Sequence, residues 1–223
     1  MTTRHVLTID GPAASGKSST AQWVARTLGW RHVDSGSLYR AATYARQQAP
    51  GAPETWSEGS VLSGAAGIGL TPVEGSFVPT LGGIALGDEI RGPDVTGQVS
   101  RVAQMSGVRQ WVNRVVQQAA EGHDVVVDGR DMGTVVFPNA SLKIWLVADP
   151  WERARRRLQQ RLGRGPTDEE IAAETDELVQ RDAKDATQTV QARDAVLIDT
   201  TYLTQPEQVE RIAALARSVA SKR

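Results

Sequence analysis

The chain has 223 residues, with 25 Lys and Arg against 26 Asp and Glu, no cysteine and a formal net charge of −1. That length suits one domain with a substantial core, and the even charge balance gives no electrostatic footprint for nonspecific binding to nucleic acid or an anionic membrane. The lack of cysteine excludes disulfides and thiolate metal sites and fits a reducing compartment.

Residues 5–10 are short and apolar enough for a buried strand, and no signal-peptide core precedes them. No apolar run approaches a membrane-spanning length, so a cytoplasmic protein, monomeric and with no membrane partner, is expected. The strand runs into GPAASGKSS, where Gly11, Gly16, Lys17 and Ser18 match G-x-x-x-x-G-K-[ST]. In such a loop successive backbone N–H groups cradle phosphate oxygens, the lysine reaches the β- and γ-phosphates, and the Ser18 hydroxyl is placed to ligand Mg²⁺. A Gly-rich turn with no ligand is the bland alternative. The apolar strand before it and a helix over 18–28, closed by Gly29, favour nucleotide phosphate.

Further along, strands are expected at 31–34, 124–128, 142–147 and 195–199, with helices at 37–47, 95–120, 151–162 and 207–220. Thr204 with Glu207 marks the entry to the last helix. This alternation predicts an α/β fold of the P-loop NTPase type: three layers, a five-stranded parallel sheet with helices on both faces, and ligands at the C-terminal strand ends. Residues 67–91 interrupt it with short β-like runs split by Gly and Pro, as in a small antiparallel insert. Residues 151–164 carry six arginines, and 168–177 six acidic residues.

A phosphate loop alone does not name an activity. There is no N/T-K-x-D segment of the kind that reads guanine. The surplus is arginine: Arg40 follows the second strand and Arg130 the third, at the strand ends that face the loop. A guanidinium grips phosphate bidentately and stays charged, so a second phosphate-bearing substrate is expected. Arg153, Arg157 and Arg161 share one helical face. Arg155 and Arg161 are equally well read as a solvated face paired with the acidic run. His5, His32 and His123 are scattered and receive no catalytic role, and Trp23, Trp111 and Trp145 are expected in the core.

With these residues in place the chain resembles the bacterial cytidylate kinases over nearly its full length. The marks are TIDGP at 8–12, DSG at 34–36, Tyr39 with Arg40, DGRDMGTVVFP at 128–138, Glu152 with Arg153, the pair Arg156 and Arg157, Arg181 with Asp182, Asp185, Asp194 and IDT at 198–200. DGRDMGTVVFP is the most specific of these.

The resemblance implies ATP-dependent phosphorylation of CMP and dCMP. ATP·Mg²⁺ would be held by Gly11, Pro12, Ala13, Ala14, Ser15, Gly16, Lys17, Ser18 and Ser19. The CMP phosphate would be held by Arg40 and Arg130, and cytosine would be read by Ser100, Arg109 and Asp131 with Ser35 alongside. Arg181 and Asp185 would approach the ribose and phosphates, and Lys17, Arg130, Arg153, Arg157 and Arg181 would form the catalytic set. It also implies one kinase domain: a core at 1–66, 92–150 and 190–223, an insert at 67–91 beside the monophosphate, and a lid at 151–189 whose mutually repelling arginines close onto phosphate. Asp128 either holds Mg²⁺ through water or accepts a helix or loop hydrogen bond. One departure is Gln188, where the family often has arginine; Lys184 is the candidate substitute. Another monophosphate or small-metabolite kinase, and a nucleotide-binding module without transfer, are the remaining readings.

Overall fold

The computed structural model describes residues 4–221. Strand β1 (Val6–Asp10) leads through the glycine-rich loop into α1 (Lys17–Leu28), then β2 (Arg31–Asp34) and α2 (Ser35–Gln47). A short α3 (Glu58–Gly64) precedes β3 (Ile68–Val73), β4 (Ser76–Leu81) and β5 (Ile84–Ala85). Helices α4 (Pro93–Ala103) and α5 (Ser106–Ala120) lead to β6 (Val125–Gly129) and β7 (Leu142–Val147). The chain closes with α6 (Pro150–Leu162), α7 (Asp168–Asp185), β8 (Val196–Asp199) and α8 (Gln205–Ala220).

Five strands run parallel in the order β2-β6-β1-β7-β8, the sheet expected from the alternation. Both faces are covered, which is why these strands are nearly continuous apolar runs. On one side Leu7, Ile9, Ile144, Leu146 and Ile198 pack against Val24 of α1 and Ile212 of α8. On the other, Val33, Val125 and Val127 meet Leu38 of α2 and Val112 and Val116 of α5. A third cluster, Ala13, Ala154, Leu158, Ile171 and Leu178, ties α6 and α7 to the loop after β1. Strand β4 pairs antiparallel with both β3 and β5. They join the main sheet through the parallel pairing of His32 with Ser76, so the insert extends the sheet.

Two expectations fail here for reasons of packing. The single helix over 95–120 is broken at Gln104 and Met105. The break is fixed from α3: Glu58 accepts the Gly107 N–H at 2.7 Å and crowds that residue so closely that an added Cβ would lie 2.5 Å from a carboxylate oxygen. A carboxylate at the start of α5 also suits the helix dipole. Trp23 is not a core residue. It is 48% exposed, with the Arg26 guanidinium 5.2 Å from its ring centre, whereas Trp111 and Trp145 are partly buried. Among the described residues no helix is long and apolar enough to cross a membrane.

Candidate active site

The C-terminal ends of the parallel strands open into a cleft of about 1440 Å³. β1 sits at the switch point of the sheet, because the chain leaves it for β2 on one side while β7 pairs on the other. Its exit loop floors the cleft. Gly11 lies so near β7 that an added Cβ would be 2.1 Å from the Leu146 carbonyl oxygen, which explains glycine there. Ala14 holds a left-handed conformation (φ 55°) that a non-glycine residue seldom adopts, a strain typical of ligand-binding backbone.

Ala13, Ala14, Ser15, Gly16, Lys17, Ser18 and Ser19 all line this end. Gly11 and Pro12 shape the loop from behind. The Lys17 ammonium donates to the Pro12 carbonyl at 2.5 Å. Burial, then the nearby Arg130 charge, pulls its pKa well below the usual lysine value against the pull of Asp128, Asp10 and Asp182. An anion bound here would relieve that strain. The Ser18 hydroxyl donates to Asp128 Oδ2 at 2.5 Å.

At the other end, α2 contributes Ser35 and Arg40, α4 Ser100, and α5 Arg109. Arg130 and Asp131 stand on the segment after β6, also in the cleft wall. Ser35 donates to the Asp128 carbonyl at 2.7 Å, and Arg40 reaches Thr96 at 3.0 Å. Arg109 is ion-paired with Asp131, both largely buried, and its other amino group donates to Gln188 at 3.1 Å. The break between α4 and α5 has a use here, since the freed Ala103 carbonyl also accepts from Arg109. Burial pushes the Asp131 carboxyl up despite the Arg109 charge that favours its ionised form.

Between the two ends Arg130 and Arg181 face Asp185 at 3.6 and 3.9 Å, and the Nε of each is buried with no hydrogen-bond partner. Burial, reinforced by Arg181 and Arg91, lowers the Arg40 pKa to about 10, and burial with the Arg130 charge lowers that of Arg181. A cationic cluster with unsatisfied donors is a site for anions of high charge.

The arginine helix departs from expectation. Arg153 does not line the cleft: its guanidinium is buried behind the loop, donating to the Ala13 carbonyl at 2.6 Å and to Asp182 at 2.7 Å. Asp182 in turn accepts the Ala13 N–H at 2.8 Å. The six arginines of residues 151–164 do not repel one another unopposed. Arg155 and Arg156 bind Glu152, Arg157 and Arg161 share the buried Glu174, and Arg164 binds Glu170. Arg157 still lines the cleft; Lys184 does not, and Gln188 does.

Sequence reasoning missed two residues. Asp10, at the end of β1, accepts the Met132 and Gly133 N–H groups at 2.9 and 2.8 Å and so fixes the turn that presents Asp131. Burial raises its pKa to about 6 against those two bonds. His32, passed over in the sequence, lies in the cleft with Nε2 2.7 Å from Asp128 Oδ1. A carboxylate ending a largely apolar buried strand was the available signal for Asp10. Nothing local marked His32.

The family model described as cytidylate kinase matches residues 7–218. A cytidylate kinase of Geobacillus kaustophilus is 42% identical over 95% of this chain and 96% of its own length.

The chain belongs to the cytidylate kinase family.

A second cytidylate kinase, from Geobacillus thermodenitrificans, is 40% identical over 100% of this chain and 99% of its own. Among solved structures, an uncharacterized protein from Eubacterium ventriosum aligns over 99% of this chain and 100% of its own with a TM-score of 0.50 at 9% identity, a likeness of fold alone. In this cytidylate kinase family member the glycine-rich loop and residues 129–132 leave the neighbouring strands β1 and β6 and line one cleft.

Proposed function

We propose that the protein transfers the γ-phosphoryl group of ATP to CMP or dCMP, giving ADP and CDP or dCDP. The observation that carries this is a single cleft with a phosphate loop at one end, the buried Arg109–Asp131 pair at the other, and partnerless arginine donors between. An oxygen of the acceptor's phosphate attacks the γ-phosphorus in line. A new P–O bond forms as the bond to the β-phosphate oxygen breaks, leaving ADP. Such a transfer needs alignment and charge neutralisation more than covalent help. Lys17 faces the transferring group, Arg40, Arg130 and Arg181 hold the acceptor phosphate, and Arg157 adds charge from the α6 side.

Cytosine presents an amino donor beside ring acceptors. The Asp131 carboxylate accepts from the amino group, Arg109 donates to the acceptors, and Ser35 and Ser100 complete the pocket. A base of other polarity would leave these buried groups unpaired. Asp185 is placed to meet the ribose.

Bound with ATP, Mg²⁺ supplies neutralisation of the β- and γ-phosphates. The Ser18 hydroxyl and the Asp128 carboxylate would hold it, the latter through water. Among the described residues no group of three or more His, Asp or Glu forms a cage of its own; such a sparse donor set suits an ion whose remaining ligands are phosphate and water. Helices α6 and α7 act as a lid over both nucleotides, with Arg153 and Asp182 as its hinge-side tie to the loop. Closure keeps water from replacing CMP as acceptor. An ADP-release assay with CMP, dCMP, UMP, AMP and GMP tests the reading: the two cytidine substrates should dominate, and comparable turnover of AMP overturns it.

A further inference from the structure

Asp128 is gripped on both oxygens. Ser18 donates to Oδ2 at 2.5 Å from the start of α1, and His32 meets Oδ1 at 2.7 Å from β2. His32 is 7% exposed and Asp128 3%. An ionised carboxylate only accepts, so the His32 Nε2 carries the proton of this bond. The β2–β6 ladder pairs Arg31–Asp34 with Val125–Asp128 through the backbone, without need of the imidazole.

The terminal torsion of an aspartate is broad. A hydroxyl that ligates an ion through a lone pair can still donate its proton. With Ser18 as the only anchor, however, the other carboxylate oxygen would be free to swing toward Lys17, whose charge acts on it. The His32 bond holds Oδ1 back in the sheet and leaves Oδ2 facing the loop, before and after any ion arrives. We propose that His32 is a positioning residue for the metal-nucleotide end of the cleft, presetting the Asp128 carboxylate so that ordering it costs nothing when ATP·Mg²⁺ binds. This rests on the reading of that end as the ATP·Mg²⁺ site.

The test is equilibrium binding, free of turnover: affinity for ATP with Mn²⁺, for ATP with chelator, and for CMP, on wild type, His32→Phe and His32→Gln. Phenylalanine fills the space without a donor; the glutamine amide restores one. Outer partners of metal ligands contribute about 10- to 100-fold in metal affinity. The Phe variant should therefore bind Mn²⁺·ATP at least about tenfold more weakly, keep its chelated-ATP and CMP affinities, and be rescued by Gln.

Loss of all three affinities together would show a merely structural role, and unchanged Mn²⁺·ATP affinity would also overturn the inference. If the Phe variant does not fold, wild type decides by nitrogen-edited proton NMR. The His32 Nε2 proton should stay protected with and without Mg²⁺·ATP, and its loss on loading overturns the inference. A wild type that binds ATP equally with and without divalent ion would fail the ATP·Mg²⁺ reading itself, and His32 with it.

Discussion

Replacing Asp131 by asparagine should change which base the cleft prefers. Asp131 is 4% exposed and paired with Arg109. Arg109 can only donate, so in the variant it takes the amide oxygen and turns the amide NH₂ toward the base. Cytosine would then meet a donor with its own amino donor. Losing one buried partner costs about 1–3 kcal/mol, roughly 5- to 150-fold in kcat/KM for CMP. Uracil offers an acceptor at the same place and gains a bond worth about 1 kcal/mol. The CMP/UMP ratio of kcat/KM should therefore fall by about 30- to 900-fold, while KM for ATP holds. The turn bearing Asp131 is held by Asp10 through the backbone of Met132 and Gly133, so its placement survives the change. Coupled ADP release with both monophosphates measures the ratio. A ratio within about twofold of wild type would remove Asp131 from the base pocket.

Asp10 makes a prediction about pH. Its folded pKa of about 6 stands above the ordinary 3.8. The folded protein thus keeps a proton that the unfolded chain has released, and stability from this group is full below about pH 4 and lost as pH rises to about 6. The span is worth on the order of 3 kcal/mol. Asp10→Asn should flatten the dependence of Tm on pH between about 4 and 6; an unaltered slope refutes the assignment. For the lid, hydrogen exchange with and without a bisubstrate analogue joining adenosine and cytidine through phosphates should show added protection concentrated in 151–189. Identical exchange there would show that α6 and α7 do not close.

The family resemblance marked Asp131; the sequence alone was enough for the parallel sheet, the phosphate loop and the cleft arginines Arg40 and Arg130. Each rests on a local rule: an apolar run for a strand buried on both faces, glycine where backbone must approach backbone as Gly11 does Leu146, and a charged side chain at a strand's exit. What tertiary structure decided involves pairs remote in the chain. The helix breaks after 103 where the Ser106–Gly107 pair weakens it locally, and Glu58, remote in the chain, fixes the break by accepting the Gly107 N–H.

Arg153 looks like its neighbours in an arginine run, yet its position on α6 turns it behind the loop, where Asp182 neutralises it, while Arg157 one turn on reaches the cleft wall. The repulsion read from that run vanishes once Glu174, buried between α6 and α7, answers two arginines at once. His32 acquires meaning only when β2 is laid beside β6 and its ring meets Asp128, 96 residues later. Burial and ion pairing depend on which distant charges share a low-dielectric space, and only the packed fold decides that.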